Sequence, residues 1–466
     1  MAVKRPSANA PSGFGGGSGA GGRVRPARTA NTPFVEAMRA AFSIPELRKR
    51  LQFVFLMFAV YTLGLHIPIP SVDHKALENY FRTNGGGILS LVDVFSGGAL
   101  RNYTVFAMGI IPYINASIIM QLLTFALPNL QEMAKEGESG RKQIAKYTRW
   151  LTVALAAVQG VGSVMLLRSM GLLLNHSPFI ALHIVMTLAG GTAFLMWLGE
   201  QITEKGIGNG ISLIIFCGIM VRLPYQLVNV FQLVKAGSVA PWQVVVLIVA
   251  FFATVVAVVF VQLGQRKIPI QHVRKIVGNR MTQGGTSYLP FRVASAGVIP
   301  IIFAMSIQLM PMTLAQMFAS WNPSLSQHMR DFSDAISPGR NPLTGLVYAG
   351  IIVFFTYFYT AVTMNVEQIA DDLKKYGSYI PGIRPGKATM EYLDRVMTRI
   401  TLAGAVFLAL IALMQYWVPS LTGTGGANGF TLVGGTSLLI VVGVALDTMQ
   451  AIEAQLLMRN YEGFIK

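Results

Sequence analysis

GGGILSLVDVFSGGAL, residues 85–100, holds a short apolar core between two groups of glycines, and a long apolar run follows it directly. The core runs over residues 88–95. At about 1.5 Å per residue, a helix of that length covers about 12 Å of a hydrocarbon layer about 30 Å thick. The segment can therefore enter a membrane but cannot span it.

The whole chain has the composition of a helical membrane protein. Of its 466 residues, 53% are hydrophobic and 12% are charged, and the mean hydropathy is +0.53. These values argue against a soluble domain. The single cysteine, Cys217, excludes an intramolecular disulfide, and its place inside an apolar run favours a small buried hydrophobe.

Ten apolar runs of about 15 to 25 residues predict ten transmembrane helices, which places both chain ends on one side of the membrane. The runs begin near Leu51, Val105, Leu151, Phe179, Ile211, Trp242, Val293, Leu343, Thr401 and Leu432.

Residues 1–33 are rich in Gly, Ser, Ala and Arg and hold no apolar segment, so they predict a disordered cytoplasmic tail.

The distribution of basic residues predicts the orientation. With both ends inside, 29 of the 37 Lys and Arg residues fall in the tails and inner loops. By the positive-inside rule this favours cytoplasmic N and C termini.

Five runs precede a connector at 234–239 and five follow it, so the two halves of the chain must have opposite orientations in the membrane, as in an inverted repeat. We predict halves at 34–233 and 240–455 and a C-terminal tail at 456–466.

Two inner loops, 262–292 and 367–399, are long and basic. Each has about 30 residues, more than a helix connector requires. Their charges fit two interpretations: fixing the topology while contacting anionic lipids, or docking a cytoplasmic machine through its RNA phosphates or acidic surface.

The residues give little support for a site that binds a coupling ion or for an enzyme active site. The ionisable side chains within or beside the apolar runs are sparse: Asp93, His183, Arg222 and Asp447. The HExxH and GxxxxGK[ST] motifs and a metal-binding cysteine pair are absent. We therefore predict neither catalytic residues, a metal nor another cofactor, and any energy input must come from a partner.

Several long motifs, in order, resemble the SecY and Sec61-alpha family of protein translocation channels. The resemblance covers residues 42–466. The motifs are FSGGALRNYTVFAMGIIPYINASII (95–119), KEGESGRKQIAKYTRW (135–150), GEQITEKGIGNGISLIIF (199–216), AGVIPIIFA (296–304), PGIRPGKAT (381–389), GGTSLLIVVGVALD (434–447) and MRNYEGFIK (458–466). It implies an all-α membrane protein of ten transmembrane helices, in two inverted five-helix halves around an hourglass pore.

In that family the short apolar segment is a plug that fills the outer funnel. Here it would be a half-helix over 88–103, with glycines that permit backbone bends at both ends. Its residues would include Ile88, Phe95, Ser96, Gly97, Gly98, Ala99 and Leu100.

The family's constriction is a ring of aliphatic side chains. By motif it falls on Ile110, Ile114, Ile211, Ile215, Ile302 and Ile440. A narrow apolar collar dewets and blocks ions, yet it offers a moving polypeptide no fixed hydrogen bonds.

The resemblance also implies a lateral exit for signal sequences and transmembrane segments, between the spans at 105–125 and 293–310. Two departures from the family concern this exit and the first of the two long loops. Ala294 stands where the family usually has asparagine, and Gln262-Leu263 replaces its usual Glu-Arg. Asn115, where the family usually has serine, offers a replacement amide.

The implied function is the central channel of the Sec translocon in the bacterial cytoplasmic membrane, passing unfolded secretory proteins. The implied partners are SecE and SecG, the SecA motor, the ribosome, preproteins with their signal sequences, accessory SecD, SecF and YidC, and anionic lipids. Contact with SecA or the ribosome would fall on Arg266, Lys267, Arg274, Lys275 and Arg384. A secondary transporter of small solutes is the alternative, since it also fits ten spans and inverted halves.

Overall fold

The computed structural model describes most of the chain. The described residues are 42, 44–83, 93–175, 177–237, 239–272, 276–277, 280–281, 285–318, 322–336, 342–421 and 435–462. The predicted tail at 1–33, plug residue Ile88, and loop residues Arg274 and Lys275 lie outside them.

Helices dominate the described residues. They are α1 (Pro45–Gly64), α2 (His74–Thr83), α3 (Ile111–Ala126), α4 (Pro128–Lys135), α5 (Glu138–Ser169), α6 (Pro178–Lys205), α7 (Gly210–Lys235), α8 (Pro241–Leu263), α9 (Ile299–Phe318), α10 (Pro323–Ile336), α11 (Pro342–Thr363), α12 (Val366–Lys375), α13 (Lys387–Leu421) and α14 (Gly435–Glu462). α7 ends and α8 begins close to the predicted connector at 234–239.

Each of the ten predicted apolar runs overlaps a helix. Seven stretches of the described chain are long and apolar enough to cross a membrane: α5, α6, most of α7, α8, α11 continued into α12, and most of α13 and α14. The pair α3 and α4, bent by 99°, makes an eighth if it counts as one span. α1 and α9 occupy the other two predicted positions; α1 begins with the charged sequence PELRKR, and the apolar part of α9 is only Ile299–Met312.

Two predicted spans begin later than the apolar pattern indicates, because turns precede their helices. The runs from Val105 and Val293 become helical only at Ile111 and Ile299. Gly109 and Gly297 adopt φ values of +57° and +60° just before those helices, a left-handed conformation that glycine tolerates best.

The predicted half-helix over 88–103 is wrong in its C-terminal part. Residues 93–95 make one helical turn, and residues 96–103 form turns. Gly97 and Gly98, at φ +70° and +87°, end the helical turn. We call residues 93–103 the plug segment.

The expectation of a helical membrane fold is confirmed, and the two long loops add a small sheet to it. Its strands are β1 (Gln265–His272), β4 (Thr286–Arg292) and β5 (Ser378–Tyr379), in the order β4-β1-β5 with antiparallel pairing; a further ladder joins β2 (Ile276–Val277) and β3 (Arg280–Met281). Ile268 and Ile270 alternate with exposed neighbours on β1, the period of a strand with one buried face. Ile268 packs against the second loop in a cluster with Ile380 and Leu393.

Candidate pore constriction and plug

The six predicted ring residues belong to one apolar cluster. Ile110 precedes α3, Ile114 lies on α3, Ile211 and Ile215 lie on α7, Ile302 lies on α9, and Ile440 lies on α14. Ile110, Ile215 and Ile440 are buried, and the other three are half-buried against them. Four separate segments of the chain therefore contribute isoleucines to this cluster.

Four of these isoleucines line a common cavity with the plug segment. Ile110, Ile114, Ile215 and Ile302 surround about 30 Å³, and Phe95 lines the same space. That volume holds one or two water molecules, so an extended polypeptide cannot pass through it. Ile440 lies in the surrounding core, and Ile211 faces α6, where a Cβ added to Gly199 would lie 3.0 Å from the Ile211 Cγ1.

Motif matching missed three residues that line this space: Ile111, Met305 and Ser306. The helical period offered a signal for two of them. Met305 and Ser306 lie three and four residues after Ile302, which places them on the same face of α9.

Wider spaces lie on both sides of the narrow cavity. One of about 920 Å³ is lined by the second half of α3, the end of α11 and the start of α13. The other, of about 250 Å³, is lined by plug-segment residues Gly97, Gly98 and Arg101 and by the α7 residues Val221 and Arg222. Two wider spaces on either side of a narrow apolar waist agree with an hourglass.

The plug segment packs closely on α7. A Cβ at Gly97 would lie 3.1 Å from the Cα of Gly218, so the two backbones meet where neither residue has a side chain. The Tyr61 hydroxyl donates a 3.4 Å hydrogen bond to the carbonyl oxygen of Ser96. Ser96 and Ala99 are buried, and Leu100 packs on a second apolar cluster that includes Tyr103.

The helices predicted to flank the lateral exit are in contact. α3 and α9 share an apolar cluster built on Ile118, Phe303 and the α11 residue Phe355. The Phe303 and Phe355 rings meet edge to face at 5.9 Å between centroids. The contact between the two helices is thus made largely by side chains as apolar as lipid tails.

Two of the predicted departures from the family share one pocket. Gln262 and Ala294 line about 210 Å³ together with Arg292, Asp447 and Gln450. The Arg292 guanidinium donates a 2.7 Å hydrogen bond to Gln450 Oε1 and lies 3.9 Å from Asp447 Oδ1. Asn115 lies half-buried on α3 and does not line this pocket. Its role as the replacement amide stays a prediction.

The basic docking residues that the structure describes sit on one folded unit. Arg266 and Lys267 are exposed on β1, and Arg384 is exposed on a turn between Gly382 and Gly386, both of positive φ. A core that includes Ile268, Phe291, Ile380 and Leu393 joins the two loops.

His272 links the two loops at the end of strand β1. Its two ring nitrogens hydrogen-bond the hydroxyls of Ser378 and Ser287, each at 2.7 Å. The hairpin of the first loop and the strand of the second are therefore held as one platform.

Comparison with known proteins agrees with this architecture. A model of the SecY family matches residues 104–449. The protein translocase subunit SecY of Streptomyces galbus is 43% identical over 444 residues, covering 92% of this chain and 99% of that protein. The Aquifex aeolicus subunit is 43% identical over 438 residues, covering 92% and 99%.

Two solved structures of other proteins share the fold of this chain. A protein-conducting channel superposes with a TM-score of 0.61 at 17% identity, covering 90% of this chain and 96% of that one. Sec61 in a canine ribosome–channel complex gives a TM-score of 0.59 at 16% identity, covering 90% and 96%. The chain belongs to the SecY family of protein translocase subunits.

Proposed function

We propose that this protein-conducting channel is closed by the apolar ring and the plug segment acting together. The supporting observation is the single space of about 30 Å³ that Phe95 shares with Ile110, Ile114, Ile215 and Ile302. An apolar waist of that size excludes hydrated ions, and a translocating chain widens it by displacing the plug segment. The family is one of translocation channels rather than enzymes, and nothing in the comparisons supports the solute-transporter alternative.

Crosslinking tests where the translocating chain passes. After Cys217 is replaced, single cysteines at Ile110 and Ile302 should crosslink to a stalled precursor, whereas a cysteine at the lipid-exposed Ile248 should not. The complex should be reconstituted in vesicles with the motor present. A stalled precursor that crosslinks to neither isoleucine would contradict the proposed path.

We further infer that α3 and α9 part to release apolar segments sideways. Lipid tails are as apolar as Ile118, Phe303 and Phe355, so exchanging these contacts for lipid costs little. An apolar segment of about 20 residues then partitions into lipid, while a polar one continues through the pore.

The setting we propose is the bacterial cytoplasmic membrane, with both termini in the cytoplasm and the two halves inverted. SecE, SecG, SecA, the ribosome, SecD, SecF, YidC and anionic lipids are the proposed partners. The structurally similar Sec61 and yeast Ssh1 chains come from ribosome complexes, which supports the ribosome among these partners.

Reversing one charge on the platform should separate motor-driven export from membrane insertion. We expect Arg384→Glu to lower export about tenfold or more and to leave ribosome-driven insertion nearly unchanged, because the exposed turn offers its cation to an acidic motor surface. The measurement is protease protection of a precursor in vesicles containing the complex and the motor.

Arg395→Glu is the matched control, because Arg395 is also an exposed arginine of the second loop but lies on α13 outside the turn. Its export should stay within about twofold of the unchanged channel. Equal loss in both variants would reduce the effect to net charge and refute a specific role for Arg384.

A further inference from the structure

One face of α7 follows the plug segment outward from the waist. Ile211, Ile215, Gly218, Arg222 and Tyr225 are spaced by four, three, four and three residues, so they form one stripe on the helix. Ile215 lines the narrow cavity, and Gly218 meets the plug backbone. The next position on the stripe, Arg222, is charged.

Arg222 forms an ion pair with the plug segment. Its guanidinium NH1 bonds Asp93 Oδ2, joining residues 129 positions apart in the chain. The Asp93 side chain is fully buried, and that of Arg222 is 12% exposed. A buried carboxylate is tolerated when it is both paired and hydrogen-bonded.

The second carboxylate oxygen organises the plug segment itself. Asp93 Oδ1 accepts a 2.8 Å hydrogen bond from the backbone N–H of Arg101, and the Asp93 carbonyl accepts one from Gly98 at 2.8 Å. The aspartate therefore closes the turn of the plug segment with its own chain and ties that turn to α7. Moving the turn outward requires breaking the ion pair.

A second ion pair lies on the outer side, and its environment is different. Arg101 contacts Glu78 of α2 at 3.3 Å, but the Glu78 side chain is 56% exposed. The Arg101 guanidinium also lies 5.0 Å from the Tyr225 ring centroid. Exposed pairs contribute little because water screens them, whereas separating a buried pair carries a large penalty until both charges are hydrated.

We propose that Asp93 and Arg222 form a latch that sets how readily the plug segment leaves the waist. They are positioning residues, and their role rests on the proposed function of the plug segment. The pair holds the plug segment against the same face of α7 that carries Ile215, so the closed waist and the ion pair form together. A signal sequence that opens the channel must supply the free energy of separating them.

Charge exchange tests the latch. In vesicles containing the assembled complex, Asp93→Arg and Arg222→Asp should each raise resting chloride leak about tenfold, a factor typical of coupling between contacting groups. The same single variants should export a precursor with a defective signal sequence. The double exchange restores the ion pair but not the acceptor for the Arg101 N–H, so its leak should fall clearly below that of either single variant without reaching that of the unchanged channel. Glu78→Gln, which breaks only the exposed pair, should leave leak unchanged.

Asp93→Asn covers the case in which the reversed charges prevent assembly. It keeps the shape of the side chain and an oxygen for the Arg101 N–H, while it removes the charge and replaces the oxygen that faces Arg222 with an amide NH2. We expect an increased leak from a complex with an unchanged melting temperature. Single variants that keep a tight resting channel would overturn the latch. If the single variants fail to assemble, a tight channel in Asp93→Asn would overturn it. A double exchange as leaky as its parents would do so as well. If the precursor still crosslinks at Ile302 in those cases, the proposed pore closure stands without the latch.

Discussion

Replacing Ile114 and Ile302 together by serine should raise the ion conductance of the resting channel by about tenfold or more. Both side chains line the 30 Å³ cavity. Serine removes apolar volume and adds hydroxyls that give water the hydrogen-bond partners it needs to stay in the waist. The measurement is potassium and chloride efflux from vesicles holding the purified complex without motor or precursor.

Two controls distinguish entry of water into the waist from disruption of the fold. Ile302→Val keeps an apolar, β-branched side chain and should leave the channel tight. Ile248→Ser places the same hydroxyl on the exposed surface of α8, where it cannot reach the cavity. A double-serine channel as tight as these controls, in an assembled complex, would show that the isoleucines do not form the barrier.

The helices were predictable because an apolar run in lipid must satisfy its own backbone hydrogen bonds. The ring positions came from motif resemblance. The i, i+4 spacing places Ile211 and Ile215 on one face of α7, whereas Ile110 lies just before the start of α3. The late starts of α3 and α9 depend on the φ angles of Gly109 and Gly297, which hydropathy does not report. A signal for both existed in the shared pattern G-x-I-P at 109–112 and 297–300.

Long-range pairings could not be predicted from local patterns. The period-two burial of Ile268 and Ile270 indicates a strand, but its pairing with Tyr379 depends on how distant helices bring the two loops together. The Asp93–Arg222 pair is of the same kind: both residues stood out as charges beside apolar runs, and only the fold brings them into contact. Sequence thus identified unusual residues, while tertiary packing determined their partners.

A single methyl group at Gly191 should destabilise the channel, whereas the same group at its neighbour Gly190 should not. Both glycines lie on α6. A Cβ at Gly191 would overlap the carbonyl oxygen of Val105, in the turn that leads to Ile110, while a Cβ at Gly190 meets nothing within 4 Å. Gly191→Ala forces α6 away from that backbone, at a cost of about 2 kcal/mol typical of overpacking.

Gly190→Ala is the comparison, because the two substitutions should change the melting temperature in different directions. Alanine is favoured over glycine in a helix by about 1 kcal/mol, so Gly190→Ala should hold or raise the melting temperature of the detergent-solubilised complex. Gly191→Ala has the same intrinsic gain and should nevertheless melt lower, with increased ion leak because the turn carrying Ile110 is displaced. If both variants melted higher, the contact between α6 and the Val105 backbone would not be needed to hold Ile110 in the waist.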